Sequence, residues 1–297
     1  MDEQVPVEVL ASIVGRPGAR LVSCHAEPVI GGSGAATGDI SRLTGVARLG
    51  TADVPFRVVR KTVRPVTTGR HAPYAGNPEH WAYWRREPLA YASGILPGGP
   101  GLAAPRCHGI VGDAIYLAEV SGSGESAAVA ARRLGEWQAT AAVPEAGWLA
   151  RDQLGQRIAA SHLDWGQVSA DPRMVALWRR RAELRGELER VPRVLVHGDF
   201  SAGNLIAADD QTTIVLDWAT LGTGPVGADL ASLALSTRGD FLREYLAGLN
   251  GQFPQPAVEV GYRATLALTG ASRVHWMLSQ GIRPPAGYVE LVVSQAP

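Results

Sequence analysis

The first third of the chain alternates short apolar runs with glycine-rich polar turns. Leu21–Ile30, Ile40–Leu49 and Phe56–Val63 read as strands, with the polar hairpin GGSGAATGD between the first two. Residues 78–95 read as a helix with Asn77 as N-cap and Pro78 at the first helical position. Residues 105–119 read as a strand pair turned at Gly112-Asp113, and SGSGES (121–126) reads as a linker. Beyond it the apolar spacing becomes helical. Residues 127–142 place Leu134 and Trp137 on one face, and residues 173–190 turn Leu177, Leu184 and Leu188 inward. Two short apolar segments, 193–196 and 213–216, precede a mostly helical remainder. The pattern predicts an α+β protein of two lobes, a β-rich one over residues 1–120 and a larger helical one over 121–297. A cleft between the two is the expected ligand site.

Composition narrows the class. Hydrophobic residues make up 46% and charged residues 19% of 297, with formal charge zero. No apolar run reaches the ~20 residues of a membrane span. The start, MDEQVPVEVL, lacks the basic-then-apolar pattern of an export signal. With only two cysteines in no metal-ligand spacing, a cytoplasmic protein is expected. The absence of a basic block argues against nucleic acid or membrane as partner; oligomeric state is not legible. Of 28 cationic residues one alone is lysine, Lys61, inside the strand-like FRVVRKTV. A compact ammonium is not replaced by a guanidinium where space is tight.

The chemistry concentrates in VLVHGDFSAGN (194–204) and in Asp217 of IVLDW. Asp199 is the candidate base that orients an acceptor hydroxyl. Asn204 and Asp217 are candidate ligands of a Mg²⁺ bridging nucleotide phosphates. Each residue alone is also what an ordinary strand-end turn displays. The joint spacing, H-G-D-x4-N followed by an apolar run into D-W, carries the weight. His197 reads as a prop that fixes the loop backbone rather than as a proton carrier.

Lys61 would reach the α- and β-phosphates, with Glu87 as its ion-pair partner and Glu79 as the alternative, because Pro88 disfavours helical geometry at Glu87. Gly31, Gly32, Ser33, Gly34, Thr37 and Gly38 would form a flap over the phosphates.

VLVHGDFSAGNLI together with IVLDWATLGTGPVGADLASL resembles the signature of the aminoglycoside phosphotransferase and choline kinase-like family, relatives of protein kinases. FRVVRKTV resembles that family's lysine strand, HWAYWRREPLAY its glutamate helix and YLAEVSG its hinge. The resemblance runs from about Val22 to Leu235. It implies a bilobal protein-kinase-like fold, ATP and Mg²⁺ as cofactors, and a hydroxyl acceptor. Carried over, Asp199 is the catalytic aspartate, Asn204 and Asp217 are metal ligands, and Lys61 is the phosphate anchor. Glu119 and Ser121 belong to the hinge, and Asp229 braces the catalytic loop. Two departures stand out: Ala219 where many relatives carry a second acid, and Pro88.

The acceptor is argued from charge. Residues 122–297 hold 18 Asp and Glu against 16 Arg, a net of −2. From Arg238 onward there are four acids and five arginines. A polycationic aminoglycoside would need a far more acidic cleft. Three readings remain: a kinase of a small-molecule hydroxyl such as an antibiotic, sugar or natural product; a kinase of Ser/Thr in a ribosomal precursor peptide; and a pseudokinase or nucleotide-binding scaffold.

Overall fold

The structure, a computed structural model, describes residues 5–31, 34 and 36–296. Helix α1 (Val7–Val14) leads into strands β1 (Arg20–Pro28), β2 (Thr37–Leu49) and β3 (Ala52–Val63), then helix α2 (Arg86–Ser93). After β4 (Gly101–Ala103) come β5 (Cys107–Val111) and β6 (Ala114–Ala118). Five of these strands form one antiparallel sheet in the order β1-β2-β3-β6-β5. Val9 and Leu10 of α1 pack on Leu43, Phe56 and Val58 of this sheet, forming the smaller of two apolar cores.

The helix expected over 78–95 begins only at Arg86. Inside a longer helix the Pro88 ring would meet the carbonyl of Trp84, so the proline sits in the first turn, where no N–H is needed. Residues 78–85 form turns instead, and Asn77 Oδ1 accepts the Glu79 N–H at 3.1 Å rather than capping a helix. The fully buried Arg86 gathers these turns: its guanidinium donates to the carbonyls of Pro78, His80, Trp81 and Trp148 at 2.6–2.9 Å.

The second part follows with β7 (Ser123–Gly124), α3 (Ala127–Thr140), α4 (Gln153–Ser161), α5 (Pro172–Arg179), α6 (Arg181–Leu188) and β8 (Arg193–Val196). Next come β9 (Leu205–Asp209), β10 (Thr212–Val215), β11 (Gly222–Pro225), α7 (Ala228–Thr237), α8 (Leu242–Leu249), α9 (Gln255–Ser279) and α10 (Tyr288–Ser294). The single helix expected over 173–190 is two. Arg180 adopts φ −83°, ψ 4°, and the change of direction lets both short apolar stripes meet the long, buried α9. Two small sheets support the loops between lobes, β4-β10-β9-β7 and β11-β8. In the first, β4 runs parallel to β10, so residues 101–103 join the larger part although they precede β5 and β6. The larger core runs from Ala130 and Leu134 through Trp218 to Tyr262 and Val292. No helix among the described residues is long and apolar enough to cross a membrane.

The architecture is α+β, a β-rich lobe followed by a helical one, with the chemistry-bearing loops at the ends of β8 and β10.

Candidate active site

Strand β8 buries Val194, Leu195 and Val196 and delivers His197, Gly198 and Asp199 at its end. Asp229, in the first turn of α7, accepts the N–H of His197 at 2.7 Å and of Gly198 at 2.9 Å. Gln138 of α3 donates to the same carboxylate at 3.3 Å and to the Leu195 carbonyl at 2.8 Å. Burial pushes the Asp229 carboxyl above its ordinary range, opposed by the two backbone bonds. Three donors and no acceptor surround it, which favours the ionised form. Gly198 has φ +83°, and a Cβ there would stand 2.4 Å from Gln153 Oε1 and 2.7 Å from the Thr220 carbonyl. Only glycine fits that bend.

The fully buried His197 is held in one neutral tautomer. Its Nε2–H donates to the Leu216 carbonyl at 2.9 Å, while Nδ1 accepts the Asp199 N–H at 3.2 Å. Both ring nitrogens are thereby occupied, and the ring packs edge-on against Trp218 at 4.6 Å. The imidazole ties the loop carrying Asp199 to the strand end carrying Asp217.

Asn204 closes the same circle. Its Nδ2 donates to the Asp199 carbonyl at 2.9 Å and lies 3.4 Å from Asp199 Oδ2. Its backbone carbonyl accepts the Leu216 N–H at 2.9 Å, one residue beyond the β9–β10 ladder. Asp217 follows with φ 61°, ψ 67°, a left-handed conformation that Asp tolerates better than most side chains. The fully buried Trp218 anchors the turn, donating its indole N–H to the Val215 carbonyl at 2.8 Å. Asp199, Asn204 and Asp217 are all partly exposed. Because Asn204 directs its amide nitrogen at Asp199, its Oδ1 remains as an acceptor, and its backbone carbonyl is tied to the residue before Asp217. That oxygen-only donor set suits a hard divalent cation held jointly with phosphates. Among the described residues no group of three or more His, Cys, Asp or Glu side chains is placed to hold a metal.

Lys61 enters from the other lobe. Its Nζ lies 2.6 Å from Glu87 Oε2 and 2.8 Å from Asp217 Oδ1, with Lys61 and Glu87 both buried. Glu79 lies elsewhere, 3.5 Å from Arg151 on the surface. Burial works against the Lys61 ammonium, but Glu87 and Asp217 outweigh it and hold the group above its ordinary value. Burial likewise opposes the charge on Asp217, and Lys61 outweighs it, holding that carboxyl below the ordinary range.

Of the expected flap, Gly32 and Ser33 lie outside the described residues. Gly31 has φ +101°, the Gly34 carbonyl accepts the Thr37 N–H at 3.0 Å, and Gly38 packs against Thr62. Ile40, just beyond, pairs with Lys61 across β2 and β3. Glu119 follows β6, with its carboxylate engaged by the Arg42 Nε–H. Ser121 is exposed.

Sequence reasoning missed Arg157. This arginine of α4 stacks over Trp81 at 4.4 Å, and the Asp199 carboxylate acts on its charge. Burial pushes the guanidinium down to about 10, Asp199 working against that and the neighbouring Arg273 and Arg70 with it. Nothing in the QRIAAS segment distinguishes Arg157 from a surface helix arginine.

The sequence pattern of the phosphotransferase enzyme family matches residues 84–262, well over half of the chain. The chain belongs to that family. Among curated proteins no sequence matches. Solved structures similar to this phosphotransferase include a choline/ethanolamine kinase family protein from Mesorhizobium loti, 14% identical with TM-score 0.53, covering 91% of this chain and 85% of that one. A macrolide 2'-phosphotransferase from Brachybacterium faecium is 19% identical with TM-score 0.52, covering 97% of each chain. An amicoumacin kinase, solved with AMP-PNP, Ca²⁺ and Ami, is 12% identical with TM-score 0.52 over 91% of this chain and 86% of that one. At these identities the likeness is one of fold. The family makes this phosphotransferase a kinase-type enzyme.

Proposed function

We propose that this chain moves the γ-phosphate of ATP to a hydroxyl of a small molecule, with Mg²⁺ as its cofactor. The observation that carries the reading is the junction of three segments. Asn204 bonds to Asp199, its backbone is laddered to the residue before Asp217, and Lys61 arrives on Asp217 from the opposite lobe. We place the boundary between lobes at residues 120–121, beyond the last strand of the larger sheet, with the nucleotide between them.

In this reading Asp199 accepts the acceptor's hydroxyl proton. The acceptor oxygen forms a bond to the γ-phosphorus, the bond from that phosphorus to the β,γ-bridging oxygen breaks, and ADP leaves. Asn204 and Asp217 would hold the cation, which neutralises charge on the transferred group. Lys61 binds the α- and β-phosphates and is positioned by Glu87. His197 and Asp229 keep the loop's backbone in place so that Asp199 need not reorganise during the reaction. Antibiotics and choline appear in the names of structurally similar proteins, which supports a small acceptor. Arg157, whose charge the Asp199 carboxylate feels, argues against a polycationic one.

The test is an ADP-release assay with ATP and Mg²⁺ across hydroxylated antibiotics, sugars and short serine peptides. Turnover of a small molecule is expected. Failure of Mg²⁺·AMP-PNP to raise the melting temperature, together with no turnover anywhere in the panel, would overturn the proposal.

A further inference from the structure

A groove of about 250 Å³ is walled by three segments far apart in sequence. Arg70 and Trp81 come from the segment before α2, Arg157 from α4, and Arg273 and Trp276 from α9. Every charged residue lining it is an arginine. In a chain whose formal charge is zero, three cations converge with no acid among them.

Among the described residues, none of the three has a carboxylate in salt-bridge contact. Arg70 donates its Nε–H to His71 Nε2 at 3.0 Å, Arg157 lies over Trp81, and Arg273 has the Tyr288 phenol as a polar neighbour. The carboxylate whose field reaches Arg157 is that of Asp199. One turn before Arg157 on α4, Gln153 donates to the Gly198 carbonyl at 2.9 Å, so the groove lies one helical turn from the loop that carries Asp199. Trp276 is 52% exposed at its rim, and the indole N–H of Trp81 is buried without an acceptor. Like charges held together destabilise the protein that holds them, by an amount an anionic ligand offsets on binding. Guanidinium forks match a carboxylate or phosphate in two-point contacts, and indole faces accept a flat or apolar body beside them.

We propose that the acceptor is a small hydroxyl compound carrying a carboxylate or phosphate, gripped by Arg70, Arg157 and Arg273 between Trp81 and Trp276 with its hydroxyl toward Asp199. The assignment rests on the phosphoryl-transfer reading and adds the charge of the substrate. The volume favours a compact molecule over a peptide chain.

Matched probes test it in the full-length protein with Mg²⁺·AMP-PNP present. Phenyllactate against phenyllactamide examines the carboxylate, and glycerol 3-phosphate against glycerol the phosphate. Binding is read by tryptophan fluorescence and turnover by ADP release with ATP. At least one anion is expected to bind tenfold or more tighter than its neutral twin, on the order of what one charge-assisted contact supplies. Arg273→Gln should abolish that preference while the AMP-PNP affinity stays within about twofold. Arg273→Glu should reverse the preference toward the neutral twin.

Equal binding of both twins in both pairs overturns the assignment, as does a preference that survives Arg157→Gln and Arg273→Gln together. An acidic serine peptide that outcompetes every small anion overturns it too. A protein that binds AMP-PNP but prefers neutral acceptors sinks this assignment alone. A protein that binds the anions yet never binds the nucleotide sinks the transferase reading, and the acceptor role with it.

Discussion

Lys61 Nζ and Glu87 Oε2 are 2.6 Å apart in a buried pair that joins β3 to α2, and the same ammonium reaches Asp217 across the cleft. The two carboxylates are not equally dependent on it. Lys61→Met strands Glu87 in the interior, whereas Glu87→Met leaves Lys61 paired with Asp217. Leaving a buried charge unpaired costs about 3–5 kcal/mol, more than replacing both partners by apolar groups. Urea denaturation should therefore show Lys61→Met less stable than Glu87→Met. The double variant should be more stable than Lys61→Met; equal or greater loss in the double would refute the pairing argument.

Asp199→Asn removes the proton acceptor and keeps the shape of the loop. The Asn204 Nδ2–H bond to the Asp199 carbonyl is unaffected by the change. Turnover should fall by about 10²- to 10⁴-fold, the usual weight of general base catalysis, with little change in AMP-PNP affinity. Full activity in this variant would assign the base elsewhere.

Asp217→Ala deletes the carboxylate that Lys61 reaches at 2.8 Å and that the proposal assigns to the cation. Melting curves with AMP-PNP should lose their dependence on added Mg²⁺, and EDTA should have no further effect. A shift as large as in the unaltered protein would remove Asp217 from the cation site.

Asp229→Ala leaves the N–H groups of His197 and Gly198 buried without acceptors. Each such group costs about 1–3 kcal/mol, so the variant should lose several degrees of melting temperature as well as activity. Asp229→Asn retains one acceptor oxygen and should lie between. Unchanged stability in the alanine variant would contradict the bracing role.

His71 accepts the Arg70 Nε–H, and burial with the adjacent Arg70, His80 and Arg157 lowers its pKa from 6.5 to about 4. Between those values the unfolded chain binds the proton and the folded one does not, so stability falls as pH drops from 6.5 toward 4. His71→Asn should flatten that part of the stability–pH curve. An identical slope in the variant would show that other groups set it.

The strand-rich beginning, the β5–β6 hairpin and the α3 helix were legible because their periodicity is local. So was the H-G-D-x4-N run, since the tight turn Ala202–Asn204 places Asn204 against Asp199 within five residues. The helix start was not. Asn77 and Pro78 carry every local start signal, yet Pro88 and the carbonyl-binding Arg86 move the start to residue 86. The break at Arg180 was equally hidden, because its cause is the packing of both halves on α9.

Sequence by itself determined the α+β order of elements, the phosphotransferase signature and the single lysine placed in a strand, all properties of spacing along the chain. Tertiary structure decided between Glu87 and Glu79, locked His197 in its tautomer and assembled three arginines from positions some two hundred residues apart. The reason is that electrostatic partnership depends on distance through space and on burial. Neither is encoded by any window of neighbouring residues until the two cores pack.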